Sequence, residues 1–190
     1  MRKKIRQDRD ALKSQGTPQA DENARHTFRE FLVAQRLNLS GFCLEYGKKL
    51  EGQTPDWYDE EKRLLLEVFT CERGGKSNPV QRVGAKIAEK VAKYGKAVAN
   101  KALFFVVAVY GDFYSGFDSP DECEQAIRDG RLFETYPDLS GVVFFTESDG
   151  LKVRQIDGST KPKQQYLFKY FANPNAIRQI DLTASLGCCD

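Results

Sequence analysis

Glu67 is the residue whose surroundings most need a chemical explanation. It stands in Leu64-Leu65-Leu66-Glu67-Val68-Phe69. Strand alternation puts Leu65, Glu67 and Phe69 on one face and Leu64, Leu66 and Val68 on the other. Both faces are apolar, so the strand is expected inside a sheet, where an ionised carboxylate is costly unless paired or metal-bound. A buried ion pair with an arginine or lysine is one solution, and a strand end that lets the glutamate reach water is another. Asp56 points to a third. It follows Pro55 at the start of the preceding strand, eleven residues upstream. A tight hairpin through 59–62 lays it across from Glu67 or close to it. Two carboxylates on adjacent strands repel each other without a cation. With Mg²⁺ (or Mn²⁺) they supply a hard oxygen site that also takes the Val68 backbone carbonyl, water and a phosphate oxygen. Such an ion polarises a phosphoryl group and lowers the pKa of bound water, as phosphodiester hydrolysis requires.

The elements that must position this pair follow from periodicity. Residues 3–14 are expected as a short helix ended by Gly16 and Pro18. Asp21 to Leu37 predicts a helix, with Ala24, Phe28, Phe31, Leu32 and Gln35 on one stripe. Phe42 to Leu50 predicts a strand, Pro55 to Tyr58 begins a second, and 59–62 is a polar turn. Arg63 to Cys71 is the third strand. A loop rich in helix and strand breakers, Gly74 to Pro79, leads to a long helix over Val80–Asn100. Its core stripe is Val83, Ile87, Val91, Tyr94 and Val98. Leu103 to Tyr110 predicts a strand buried on both faces. Ser119-Pro120-Asp121-Glu122 starts a helix that ends at Gly130. Gly141 to Thr146 is another buried strand, and Leu151–Ile156 with Tyr166–Phe171 are expected as a final edge pair. The fold class is therefore α/β, a mixed central sheet with flanking helices. Residues 1–18 form a basic arm or short helix, 19–183 a single domain and 184–190 a tail.

Pro55-Asp56, a short hairpin, then Leu66-Glu67-Val68 resembles the signature of the PD-(D/E)XK nuclease superfamily. The likeness extends to the helix before the hairpin, the long helix after it and the apolar strand Phe104–Tyr110, so it covers residues 20–112. It implies a restriction-endonuclease-like core and metal-dependent hydrolysis of DNA, with Asp56 and Glu67 as catalytic metal ligands. One position departs from the pattern: the family's lysine lies two residues after the glutamate, where this chain has Phe69. In some members the following helix supplies it. Lys90 lies at about 60° from the centre of the apolar stripe at 100° per residue, so it is the best substitute, with Lys86 and Lys93 further round. Snorkelling to solvent is its alternative use. The family often adds a glutamate from its first helix; Glu22 and Glu30 are the candidates. Glu30 points away from the stripe of Phe28, Phe31 and Leu32, which predicts solvent exposure. Glu45 is a third candidate by proximity to Asp56.

Other signals stand beside these. Thr70-Cys71-Glu72-Arg73-Gly74-Gly75-Lys76-Ser77 is similar to a P-loop but lacks its first glycine, and Asn78-Pro79 interrupts the passage into the helix. As a loop, it could still place Lys76 on a DNA phosphate. Lys86, Arg82 and Lys93 give the long helix a basic face that, with the arm, is expected to meet phosphates; a solvated face is the alternative. The aromatics of Asp112–Phe117 could stack on bases or cover the sheet edge. His26 is the only histidine, expected on a helix surface, and no serine elbow accompanies it. The five cysteines are odd in number and none has C-x-x-C spacing, which argues against a zinc site or secreted disulfide framework and for a reducing cytoplasm. The longest apolar run, Ala102–Tyr110, is about half of a membrane span. The expected function is a metal-dependent endonuclease acting on DNA, as a homodimer or in a larger nuclease complex. The alternative is a non-catalytic DNA-binding or assembly module on the same fold.

Overall fold

The computed structural model describes residue 7 and residues 18–71, 78–112, 116–148, 152–154, 160–162 and 165–187. Apart from residue 7, the predicted helix at 3–14 lies outside these, as do Lys76, Phe113, Tyr114 and the vicinal Cys188-Cys189. Helix α1 (Pro18–Leu39) leads into a meander of β1 (Glu45–Tyr46), β2 (Trp57–Asp59) and β3 (Leu64–Thr70). Helix α2 (Pro79–Lys101) crosses to β4 (Phe104–Gly111). Helices α3 (Pro120–Asp129) and α4 (Leu132–Thr135) then lead to β5 (Gly141–Ser148). Strands β6 (Lys152–Arg154) and β7 (Thr160–Pro162) pair with each other. Strand β8 (Gln165–Ala172) and a closing turn of helix, α5 (Thr183–Leu186), follow.

The main sheet has the order β1-β2-β3-β4-β5-β8. The meander is antiparallel, β3, β4 and β5 run parallel, and β8 returns antiparallel on the edge. Parallel neighbours need a crossover, and α2 and the α3–α4 pair provide the two of them. Alternation splits the core in two. Leu65, Phe69, Phe105, Val107 and Phe144 meet α2 and α3 on one face. Leu64, Leu66, Val68, Val106 and Phe145 meet α1 and α5 on the other. The chain is thus α/β, a six-stranded mixed sheet flanked by helices. No helix among the described residues is long and apolar enough to cross a membrane.

Local chemistry explains the boundaries. Asn78 caps α2 by accepting from the Val80 N–H at 2.9 Å, with Pro79 in the first turn, where a missing N–H costs nothing. Ser119 and Glu122 form a full capping box at α3. Two strand expectations are corrected, and one open alternative is decided. The strand predicted over 42–50 is only two residues long, because Gly47 turns at φ 62 and a bridge between Leu50 and Gln53 closes a separate bend. The edge pair predicted from 151–156 and 166–171 does not form: β8 pairs with β5, and β6 pairs with β7. Phe117 is fully buried against Phe144, so it covers the sheet rather than meeting solvent. The tail boundary at 184 falls inside α5, whose Leu186 is buried and whose carbonyl accepts from Arg36 Nε at 2.9 Å.

The end of β4 is packed so tightly that it accepts no side chain. A methyl group at Gly111 would stand 2.5 Å from Phe144 Cε2 and 2.8 Å from the Phe117 carbonyl oxygen. Phe144 is itself enclosed and cannot retreat. Gly111→Ala is therefore expected to lower stability by about 1–3 kcal/mol, read as a lower urea midpoint at unchanged slope.

Candidate active site

The β2–β3 ladder ends at Trp57 opposite Leu66. Continued by one residue it would set Asp56 opposite Glu67, and by two, Pro55 opposite Val68. Pro55 has no N–H to donate, so the ladder cannot go on. Carboxylates take over the backbone donors left there. The Asp56 N–H donates to Glu67 Oε1 at 3.0 Å, and the Val68 N–H donates to Asp56 Oδ2 at 2.8 Å. Each acid thus holds the other's strand. The Val68 carbonyl leaves β3 on the same side as its N–H, toward the gap that β2 has vacated.

Glu67 is 1% exposed. Alternation aims it at α2, where Lys90 Nζ meets Oε2 at 2.5 Å. Lys90 therefore does not snorkel; its ammonium turns inward. Phe69, two residues after Glu67, is committed to the core between β3 and α2. One turn beyond Lys90, the fully buried Tyr94 donates to the Thr54 carbonyl at 3.1 Å. The sequence placed Tyr94 on the core stripe and missed its polar end; its i, i+4 spacing from Lys90 was the available signal.

Glu30 corrects the sequence reading. It is buried, 2% exposed, and its Oε1 lies 3.0 Å from His26 Nε2. The reason is that α1 buries Thr27, Arg29, Glu30, Val33, Ala34 and Leu37, while Phe28 on the expected stripe is half exposed. Arg29 belongs to the same face. Its guanidinium sits 4.0 Å from the centroid of the Tyr110 ring, donates to Thr70 Oγ1 and Glu22 Oε1 at 3.2 Å each, and lies 4.0 Å from Asp112. No periodicity in the sequence marks Arg29 as buried.

The other predicted residues stay apart from the acids. Glu45 is exposed and held by Lys48 at 3.0 Å. Lys86 pairs with Glu89 at the surface of α2 at 2.8 Å, and Lys93 is exposed with its Nζ 4.6 Å from the Tyr94 ring centroid. Arg82 is partly buried beside Phe69 and Cys71. The basic face of α2 is therefore a row of differently engaged side chains.

The electrostatics of the cluster are unbalanced. Burial, then Glu67, then Glu30 push the Asp56 carboxyl up to about 6, against the opposing pull of the Val68 N–H and Lys90. Burial alone would pull the Lys90 ammonium down, but Glu67 and Asp56 reverse this and leave it raised. Burial and Glu67 raise the Tyr94 phenol as well. Three acids thus face one lysine and a histidine. Asp56, Glu67 and the Val68 carbonyl are hard oxygen donors in a field that favours added positive charge, so they fit a divalent cation in type and sign. They supply only part of a coordination shell. No cluster of three or more His, Cys, Asp or Glu side chains suited to a metal occurs among the described residues. Water and substrate oxygens would complete the shell.

Beside the acids a cavity of about 640 Å³ opens at the carboxyl end of β3. Its floor is Val68 to Cys71. Asn23 and His26 of α1 stand on one side and Lys86 and Lys90 of α2 on the other. The carboxyl ends of parallel strands are where open α/β sheets place their ligands. Comparison of the chain with protein-family models, curated proteins and solved structures found no match.

Proposed function

We propose that the chain is a metal-dependent endonuclease of the PD-(D/E)XK type, hydrolysing phosphodiester bonds in DNA. The observation that carries this reading is the approach of Lys90 to Glu67 beside Asp56. It supplies, from the following helix, the ammonium that Phe69 cannot. Asp56, Glu67 and the Val68 carbonyl would hold Mg²⁺ or Mn²⁺. When bound, that ion would polarise the phosphate and acidify a water molecule. Lys90 positions the attacking water and offsets charge developing on the phosphate oxygens. Water adds at phosphorus, one P–O bond breaks, and the leaving oxygen takes a proton, giving a phosphate monoester and a hydroxyl. The two backbone N–H donors fix the acids, and Tyr94 holds the Thr54 carbonyl two residues before Asp56, so that little reorganisation remains for the reaction. DNA is the partner, and a reducing cytoplasm suits the free thiols Cys43, Cys71 and Cys123.

The second reading is a non-catalytic DNA-binding or assembly module. It is favoured by Glu67, both of whose oxygens are already engaged. Incubation with supercoiled plasmid and Mg²⁺ or Mn²⁺ separates the two. The endonuclease reading expects nicked or linear product that disappears with EDTA and falls at least about a hundredfold in Asp56→Ala. Salt-sensitive DNA binding without any product supports the module instead.

A further inference from the structure

The cavity beside the acids has walls of opposite character. The α2 side carries Lys86 and Lys90. The facing side carries Asn23 and His26 with the carboxylates of Glu22 and Asp112. Arg29 reaches both of those acids and Thr70, which ties α1 to the ends of β3 and β4 and fixes that wall. Lys90 serves both places, contacting Glu67 and lining the cavity. A strand running along the lysines would therefore put one phosphate near the acid pair and its base against the opposite wall. A second backbone would meet Glu22 and Asp112, whose two negative charges the single Arg29 only half offsets. Size agrees: the cavity holds about 640 Å³. It is within the range of pockets that enclose one small ligand.

We propose that this cavity is a subsite for one unpaired nucleotide of a DNA strand, next to the scissile phosphodiester. Its phosphate lies on Lys86 and Lys90 and its base lies against Asn23. The preferred substrate is then an overhang, a frayed end or an extruded nucleotide, which negative supercoiling supplies in a plasmid, over a relaxed blunt duplex. The inference rests on the endonuclease reading and names the substrate of that site.

The test is fluorescence anisotropy in Ca²⁺, which permits binding without turnover. The probes are a labelled single-stranded oligonucleotide, the blunt duplex of the same sequence, and that duplex with a single-stranded overhang. The single strand and the overhang are expected to bind about tenfold tighter than the blunt duplex, the scale of one base stacked or seated in a pocket. Asn23→Met fills the cavity from an exposed position on α1 without adding a ring for a base to stack on, and its helicity and unfolding temperature verify that it folds. It is expected to abolish the difference. Lys86→Glu, at a surface position, is expected to weaken single-strand binding and flatten its salt dependence. Equal affinity for all three probes, or an undiminished difference in folded Asn23→Met, overturns the subsite. Cleavage in Mg²⁺ is read separately. A single-strand preference without cleavage removes the endonuclease and leaves the subsite; equal cleavage of blunt and overhanging duplexes does the reverse.

Discussion

Lys90→Met is expected to cost the protein about 3 kcal/mol of stability at neutral pH, and at least a hundredfold in DNA cleavage. The stability loss follows from what remains. Glu67 is almost completely enclosed, and Lys90 is its ion-pair partner at 2.5 Å. Without the ammonium, a buried carboxylate stands close to Asp56 with only an N–H donor to hold it. Methionine keeps the length and apolar stem of the lysine, so the change reads charge more than packing. Urea denaturation measures the first effect and plasmid nicking the second.

Either effect alone fits a structural ion pair. The double variant Glu67→Gln, Lys90→Met separates the two roles. It removes both charges together, which for a buried pair is close to neutral in stability. The glutamine can still accept from the Asp56 N–H. Stability is expected to return to within about 1 kcal/mol of wild type while cleavage stays absent. A double variant that cleaves as well as wild type would reduce the pair to a structural role. One that stays as unstable as Lys90→Met would mean that packing of the lysine stem, and not its charge, holds α2 to the sheet.

The sequence carried the order of elements well because the strong signals in this chain are local. Ser119-Pro120-Asp121-Glu122 writes a capping box in consecutive residues, and the alternation of Leu64 to Thr70 leaves little choice but an interior strand. Lys90 was legible because α2 has one clean apolar stripe from which an angle can be measured. Helix α1 failed for the opposite reason. It has apolar residues nearly all round, so Phe28, Phe31 and Leu32 named one face, while the sheet selected another that runs through Arg29, Glu30, Val33 and Leu37. Arg29 made that choice through tertiary partners, Thr70 and the Tyr110 ring, whereas Glu30 pairs with His26 one turn back on its own helix, an i, i+4 spacing the sequence did show. A buried charge satisfied from other elements leaves no trace in its own helix's periodicity. The fate of β8 was hidden similarly, since strand propensity does not say whether 166–171 pairs with its neighbour in sequence or with β5.

Asp56→Asn is expected to make the folded protein more stable and less active together. The Asp56 carboxyl is pushed up to about 6 by burial, by Glu67 and by Glu30, from an ordinary 3.8. The folded state therefore holds this proton more tightly than the unfolded chain. Between pH 3.8 and about 6 the native state binds more protons than the unfolded one, so stability falls as pH rises through that window. The penalty is absent below it and complete above it. It amounts to about 2 kcal/mol once solvent at this half-buried side chain is allowed for. Asparagine stays neutral and keeps an oxygen for the Val68 N–H. The variant should thus exceed wild type by about that amount at pH 8, with the gap closing as pH falls through the window. Mg²⁺ should narrow the gap from the other side, since a cation bound to the native wild-type acids stabilises it by mass action, by about 1.4 kcal/mol at ten times its Kd. The variant lacks that carboxylate and should show little shift. If Mg²⁺ moves the unfolding temperature of both proteins equally, the ion does not bind at Asp56, and the strained carboxylate has some use other than holding a metal.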